Sequence, residues 1–204
     1  MKNTAVAFVV DESGSMSGKE NFISNSFQEQ ATVLRESKGA GKITTTMVKF
    51  GSRQKDGQPF VAFQGKSPSV LSLPQYSPFG YTPLCDAVAL AIQTLEKKPP
   101  SNTAFLVTVF TDGDENASRE WTSRKLADLV ESKQATGKWT FAFIGPSTKD
   151  VSAWGVPSGN IYTYTTVQDG MMVASSGLST FVNVVRPFSM STTGLMTTAV
   201  TYIR

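Results

Sequence analysis

The sequence predicts an α/β fold: a doubly wound, mostly parallel six-stranded sheet with one antiparallel edge strand and helices on both faces. Three observations lead there. The runs Thr4 to Val10 and Thr103 to Phe110 are apolar at nearly every position, as strands covered on both faces must be. Strand-like and helix-like segments alternate along the chain, which implies βαβ crossovers and a parallel sheet. The 204 residues, 40% of them apolar, suffice for one domain with a sizeable core and call for neither a membrane nor a repeat array.

Thr4 to Val10 reads as a central strand that breaks at the polar Gly/Ser stretch Asp11 to Gly18. From Lys19 to Ser37 the apolar residues Ile23, Phe27, Ala31 and Leu34 recur at helical spacing, with Gly39 and Gly41 as stop signals. Ile43 to Phe50 and Phe60 to Phe63, joined by a turn around Asp56-Gly57, form an edge hairpin. After a Pro- and Ser-rich loop from Ser67 to Tyr81, Thr82-Pro83 opens a helix whose inward face is Leu84, Val88, Ala91, Ile92 and Leu95, and Pro99-Pro100 lies beyond its end. Thr103 to Phe110 then runs into the acidic turn Thr111-Asp112-Gly113-Asp114. The alternation continues with a helix from about Ser118 to Lys133, a strand Trp139 to Ile144, a short helical turn near Lys149 to Trp154, a strand Ile161 to Tyr164 and a helix from about Asp169 to Val185. Residues 1–186 thus make one domain, and 187–204 a Thr/Ser-rich tail that either pairs with an edge or another subunit or stays mobile.

Composition removes several chemistries. With no histidine and a single cysteine, Cys85, there is no Ser-His-Asp triad, no His-assisted thiol, no HExxH zinc helix and no internal disulfide. Cys85 reads as a small buried apolar residue. The N-terminal apolar run ends at Asp11 and Glu12 with no small-residue cleavage site, and no stretch is long enough to span a bilayer, so the expected location is a reducing cytoplasm. The net charge of +3 comes from scattered lysines and arginines with no basic stripe, which argues against nucleic acid. Gly39-Ala40-Gly41-Lys42 is not a phosphate loop, because Glu36 stands where the earlier glycine belongs and Ile43 replaces the hydroxyl residue.

The acids, by contrast, gather in two knots, Asp11-Glu12 and Asp112-Asp114-Glu115, each directly after a buried-type strand. In an open parallel sheet these strand ends share one rim. In Asp11-Glu12-Ser13-Gly14-Ser15 a carboxylate and two hydroxyls alternate on one side of a tight turn, and an oxygen-only donor set suits a hard cation such as Mg²⁺, Mn²⁺ or Ca²⁺.

Here the sequence resembles the von Willebrand factor A (VWA) domain, a Rossmann-like fold, and its metal-ion-dependent adhesion site (MIDAS), whose pattern is D-x-S-x-S, then a threonine, then an aspartate. The matching positions are Asp11, Ser13 and Ser15, Thr82 in Gly80-Tyr81-Thr82-Pro83-Leu84, and Asp112 in Phe110-Thr111-Asp112-Gly113; the resemblance covers roughly Thr4 to Val185. It implies Ser13, Ser15 and Thr82 as inner ligands, with Asp11 and Asp112 acting directly or through water. An ion held largely by neutral hydroxyls stays under-neutralised, so a partner protein's Asp or Glu carboxylate can complete its shell. Singly, each element also reads as an ordinary turn or helix cap; what distinguishes them is their convergence on one rim.

Glu12, Asp114 and Glu115 are expected as rim charges that concentrate cations. Phe79, Tyr81 and Trp121 lie near the same rim, as interface anchors or as core. The expected function is a stand-alone protein-binding module without enzymatic activity. Two rivals accompany it. A metal-dependent phosphatase or hydrolase of the aspartyl-phosphate kind would carry Asp-x-Asp, where Ser13 stands here. An assembly component would use metal-independent surfaces; small domains of this type resemble those encoded by tailed phages, which would place it in a host cytoplasm, and by bacterial stress-response clusters.

Overall fold

The computed structural model describes residues 3–37, 42–145, 153–157 and 160–163. Its strands are β1 (Asn3–Asp11), β2 (Ile43–Phe50), β3 (Phe60–Lys66), β4 (Thr103–Phe110), β5 (Trp139–Gly145) and β6 (Ile161–Thr163). They form a six-stranded sheet in the order β3-β2-β1-β4-β5-β6. Every neighbouring pair is parallel except the β2/β3 hairpin at the edge. This is the sheet expected from the alternation of segments.

Side chains of a strand alternate between faces, and the central strand divides the core accordingly. Ala5, Ala7 and Val9 join a cluster with helix α2 (Leu84–Leu95) and helix α3 (Ser123–Ala135), while Val6, Phe8 and Val10 join a second cluster with helix α1 (Glu20–Glu36). Both faces are therefore covered, which is why β1 and β4 are apolar at most positions. Nine of the twelve residues of α2 are buried. Each large apolar side chain buried there contributes about 1.5–3 kcal/mol, so the start of this helix is firmly placed.

The chain leaves β1 through α1 to reach β2 on one side, and returns through α2 to β4 on the other. The strand order thus reverses between β1 and β4, and a crevice opens at their C-terminal ends. The loops that carry Asp11 and Asp112 meet at that crevice.

The third helix starts later than expected, at Ser123. The Asp86 carboxylate gathers the N–H groups of Arg119 (2.7 Å), Glu120 (3.2 Å) and Trp121 (2.8 Å) into a loop, and the Thr122 hydroxyl accepts from Lys125 N–H as the helix cap. The expected turn near 149–154 is described only at Ala153–Gly155, where Trp154 is fully buried. The expected helix at 169–185, the tail at 187–204 and the stop glycines Gly39 and Gly41 lie outside the described residues. Among the described residues no helix is long and apolar enough to cross a membrane.

Candidate functional site

Asp11 is the last residue of β1 and is fully buried. One carboxylate oxygen accepts from Ser13 N–H (2.6 Å) and the other from the Thr111 hydroxyl (2.6 Å), so β4's exit loop clamps β1's terminal carboxylate across the switch point. Burial pushes its carboxyl up to about 6, against the lowering effect of Thr111 and Ser13, and the Asp112 charge adds to the rise. Among the described residues no lysine or arginine forms an ion pair with it.

The backbone after Asp11 is set by close packing of three loops. Glu12 N–H donates to Phe50 O (2.8 Å), Phe79 N–H to Glu12 O (2.8 Å) and Gly14 N–H to Gly80 O (2.9 Å). Gly51, with φ +70°, is required here: a β-carbon would sit 2.5 Å from Ser13 N. This packing fixes the turn so that the Ser13 and Ser15 hydroxyls face each other at 3.1 Å. Ser15 in turn donates to Asp112 Oδ1 at 2.7 Å. The Tyr76 hydroxyl donates to Asp11 O (2.6 Å) and stays protonated, its acidity suppressed by burial and by the neighbouring carboxylates.

Thr82 is buried, and although it precedes α2 its hydroxyl caps nothing; Pro83 occupies the cap position without a side-chain bond. The helix start is capped from the 115–118 loop. Thr82 N–H donates to Asn116 Oδ1 (2.8 Å), Cys85 N–H to Glu115 (2.6 Å) and Asp86 N–H to Ser118 Oγ (3.0 Å). The Thr82 hydroxyl instead faces Gly113, where an added β-carbon would lie 3.3 Å from Thr82 Oγ1 and 3.8 Å from Ser15 Oγ. The structure therefore brings Asp11, Ser13, Ser15, Thr82 and Asp112 to one rim, chained by hydrogen bonds or close approach.

This donor set fits a hard divalent cation: three hydroxyls and two carboxylates, with no nitrogen or sulfur. Among the described residues no three Cys, Asp or Glu side chains group closely enough to hold a metal by themselves, so an ion here depends on Ser13, Ser15 and Thr82.

Several expected rim residues have other roles. Glu12 is fully buried and paired with the equally buried Lys49, which also donates to Gln75 O; strand alternation turns it to the face opposite Asp11, so it is no rim charge. Glu115 accepts from Cys85, Ala117 (2.9 Å) and Ser118 N–H (2.8 Å). Burial pushes its carboxyl up, but these donors together hold it below the usual range. It acts as a staple between loop and helix. Asp114 is exposed, as a rim charge should be. Phe79 and Tyr81 are 48% and 76% exposed, with the Arg53 guanidinium 4.7 Å over the Phe79 ring. They line a cleft of about 530 Å³ with Pro83, Ala117 and Arg119, whereas Trp121 packs against the core.

Sequence reasoning missed Thr111, Lys19 and Lys49. Lys49 carried a signal, a charge in the otherwise uncharged strand Ile43–Phe50, while Lys19, whose ammonium pairs with Asp112 Oδ2, carried none.

The sequence matches no family profile and no curated protein. The fold is similar to the pilus adhesin SpaC from Lactobacillus rhamnosus GG, with TM-score 0.68 and 12% identity over 89% of this chain and 31% of the adhesin. It is similar also to proximal thread matrix protein 1 of the mussel byssus, solved with a zinc-occupied MIDAS motif, with TM-score 0.64 and 14% identity over 89% of this chain and 46% of that one. A third likeness is to the SpRpn10 VWA domain, with TM-score 0.57 and 10% identity over 83% of this chain and 93% of that domain. The chain spans less than half the length of the first two. These likenesses define the class of fold: it is VWA-like.

Proposed function

We propose that this protein is a protein-interaction module that holds one divalent cation, Mg²⁺ or a close substitute, at the β1/β4 rim and uses it to bind an Asp or Glu carboxylate of a partner. The observation that supports this most is the convergence of Asp11, Ser13, Ser15, Thr82 and Asp112 from three separate loops, with the Thr82 hydroxyl left unused as a helix cap. The zinc-occupied MIDAS motif of the mussel protein supports the assignment to a divalent ion. Ser13, Ser15 and Thr82 would hold the ion, and Asp11 and Asp112 would supply negative charge. When bound, the ion supplies a positive centre with a coordination position open to an outside carboxylate. Exposed Phe79 and Tyr81 would give the partner apolar contact beside it.

An enzyme reading has less support. Asp11 is fully buried and clamped by two donors, and so is held as an acceptor and not presented as a nucleophile.

The test is a titration of Mg²⁺, Mn²⁺ and Ca²⁺ into EDTA-stripped protein by calorimetry and thermal shift, with Ser13→Ala/Ser15→Ala beside it. A ligand that binds only the folded state at about 100 times its Kd stabilises by about 2.7 kcal/mol. Saturable 1:1 binding that vanishes in the folded double variant is expected; no response even with added acetate or an acidic peptide would overturn the reading.

A further inference from the structure

Lys19 stands at the cap position of α1, a helix of 17 residues. A positive charge at a helix N-terminus opposes the helix dipole, so a lysine ammonium held there needs a partner that outweighs the dipole. That partner is Asp112. The Lys19 ammonium pairs with Asp112 Oδ2 and also donates to Ser15 O at 3.1 Å, while Ser15 Oγ donates to Asp112 Oδ1. Both oxygens of one proposed charge-supplying carboxylate are thus engaged from within the chain. The Asp112 side chain is only 3% exposed, whereas that of Lys19 is 35% exposed, so the ammonium can swing into solvent and the carboxylate cannot follow.

We propose that Lys19 is a tethered cation that competes with the divalent ion for Asp112, so that metal loading requires the ammonium to leave. This deepens the proposed function and rests on it: Lys19 sets how readily the site loads. The tether neutralises Asp112, and a divalent ion has to displace a charge that is always present at high local concentration. Lys19 is a positioning and regulating residue in this account; it contacts a proposed ligand and not the partner.

The experiment measures Mg²⁺ and Mn²⁺ binding by calorimetry for the full chain and for Lys19→Met, Lys19→Gln and Lys19→Arg, with circular dichroism to verify folding. Removing a unit charge a few ångströms from a dication tightens binding by about ten-fold when the interaction is partly screened. Both neutral variants are expected to bind about ten-fold tighter, and Lys19→Arg to stay near wild type because it keeps the charge. Equal or weaker binding by folded Lys19→Met and Lys19→Gln, with wild type still binding, overturns the competition alone. Absence of binding in every variant overturns the cation site and this inference together. Tighter binding by Lys19→Arg as well would show that side-chain shape, not charge, sets affinity, and would also overturn it.

Discussion

The two acid knots look alike in the sequence and end in different environments. In the first, Asp11 and Glu12 are both fully buried, one clamped at the rim and the other paired with Lys49 on the far face of the sheet. In the second, Asp114 is exposed, Asp112 is held by Ser15 and Lys19, and Glu115 staples the loop to α2. The difference lies in what precedes each acid. Strand pairing carries on past β1, with Glu12 N–H bonded to Phe50 O, so successive side chains keep alternating between faces. Pairing runs one residue past β4 as well, with Thr111 N–H bonded to Ile144 O (3.2 Å), but that residue is a threonine, and the acids that come after it follow loop geometry. Adjacent carboxylates therefore say little about shared function until the backbone that carries them is known.

The sharpest way to break this comparison is Lys49→Met, which leaves Glu12 inside the protein without its cation. It should cost about 3–5 kcal/mol in urea unfolding, with most of that recovered in Glu12→Gln/Lys49→Met. A change within the ordinary surface range would put Glu12 back on the rim.

A second effect belongs to Asp11. Burial holds Asp11 near 6 in the folded chain, above its ordinary value of 3.8. Between these two values the folded, metal-free protein retains a proton that the unfolded chain has lost, so stability falls as pH rises through that window, by roughly 3 kcal/mol in all. Denaturation from pH 4 to 7 should show this slope in wild type with EDTA and lose it in Asp11→Asn. A flat wild-type profile would mean that the Thr111 and Ser13 bonds already offset burial.

The smallest effects compare neighbours within the second knot. Glu115→Gln weakens acceptor bonds to buried donors and should cost about 1–3 kcal/mol in thermal unfolding. Asp114→Asn, an exposed change, should stay within about 0.5 kcal/mol and only slightly weaken cation binding, less so at high salt. Equal costs would erase the distinction between staple and rim charge.

Much of the architecture was legible without coordinates. The continuous apolar runs at 4–10 and 103–110 require cover on both faces, and α1 and α2 supply it. Strand-end geometry put the Asp11 and Asp112 loops on one rim, because a buried strand followed by a Gly/Ser or acidic turn marks a strand end and parallel strand ends share a rim; the full set with Ser13, Ser15 and Thr82 came from the resemblance to the MIDAS pattern. What only the tertiary structure decided was which polar side chains meet: that Thr111 clamps Asp11, that Lys49 neutralises Glu12, that Lys19 reaches Asp112, and that Glu115 rather than Thr82 caps α2. Apolar periodicity is a local property that burial imposes on each element alone. A hydrogen bond or ion pair between residues 30 to 100 positions apart depends on register, loop path and side-chain reach, and these exist only once the chain is folded.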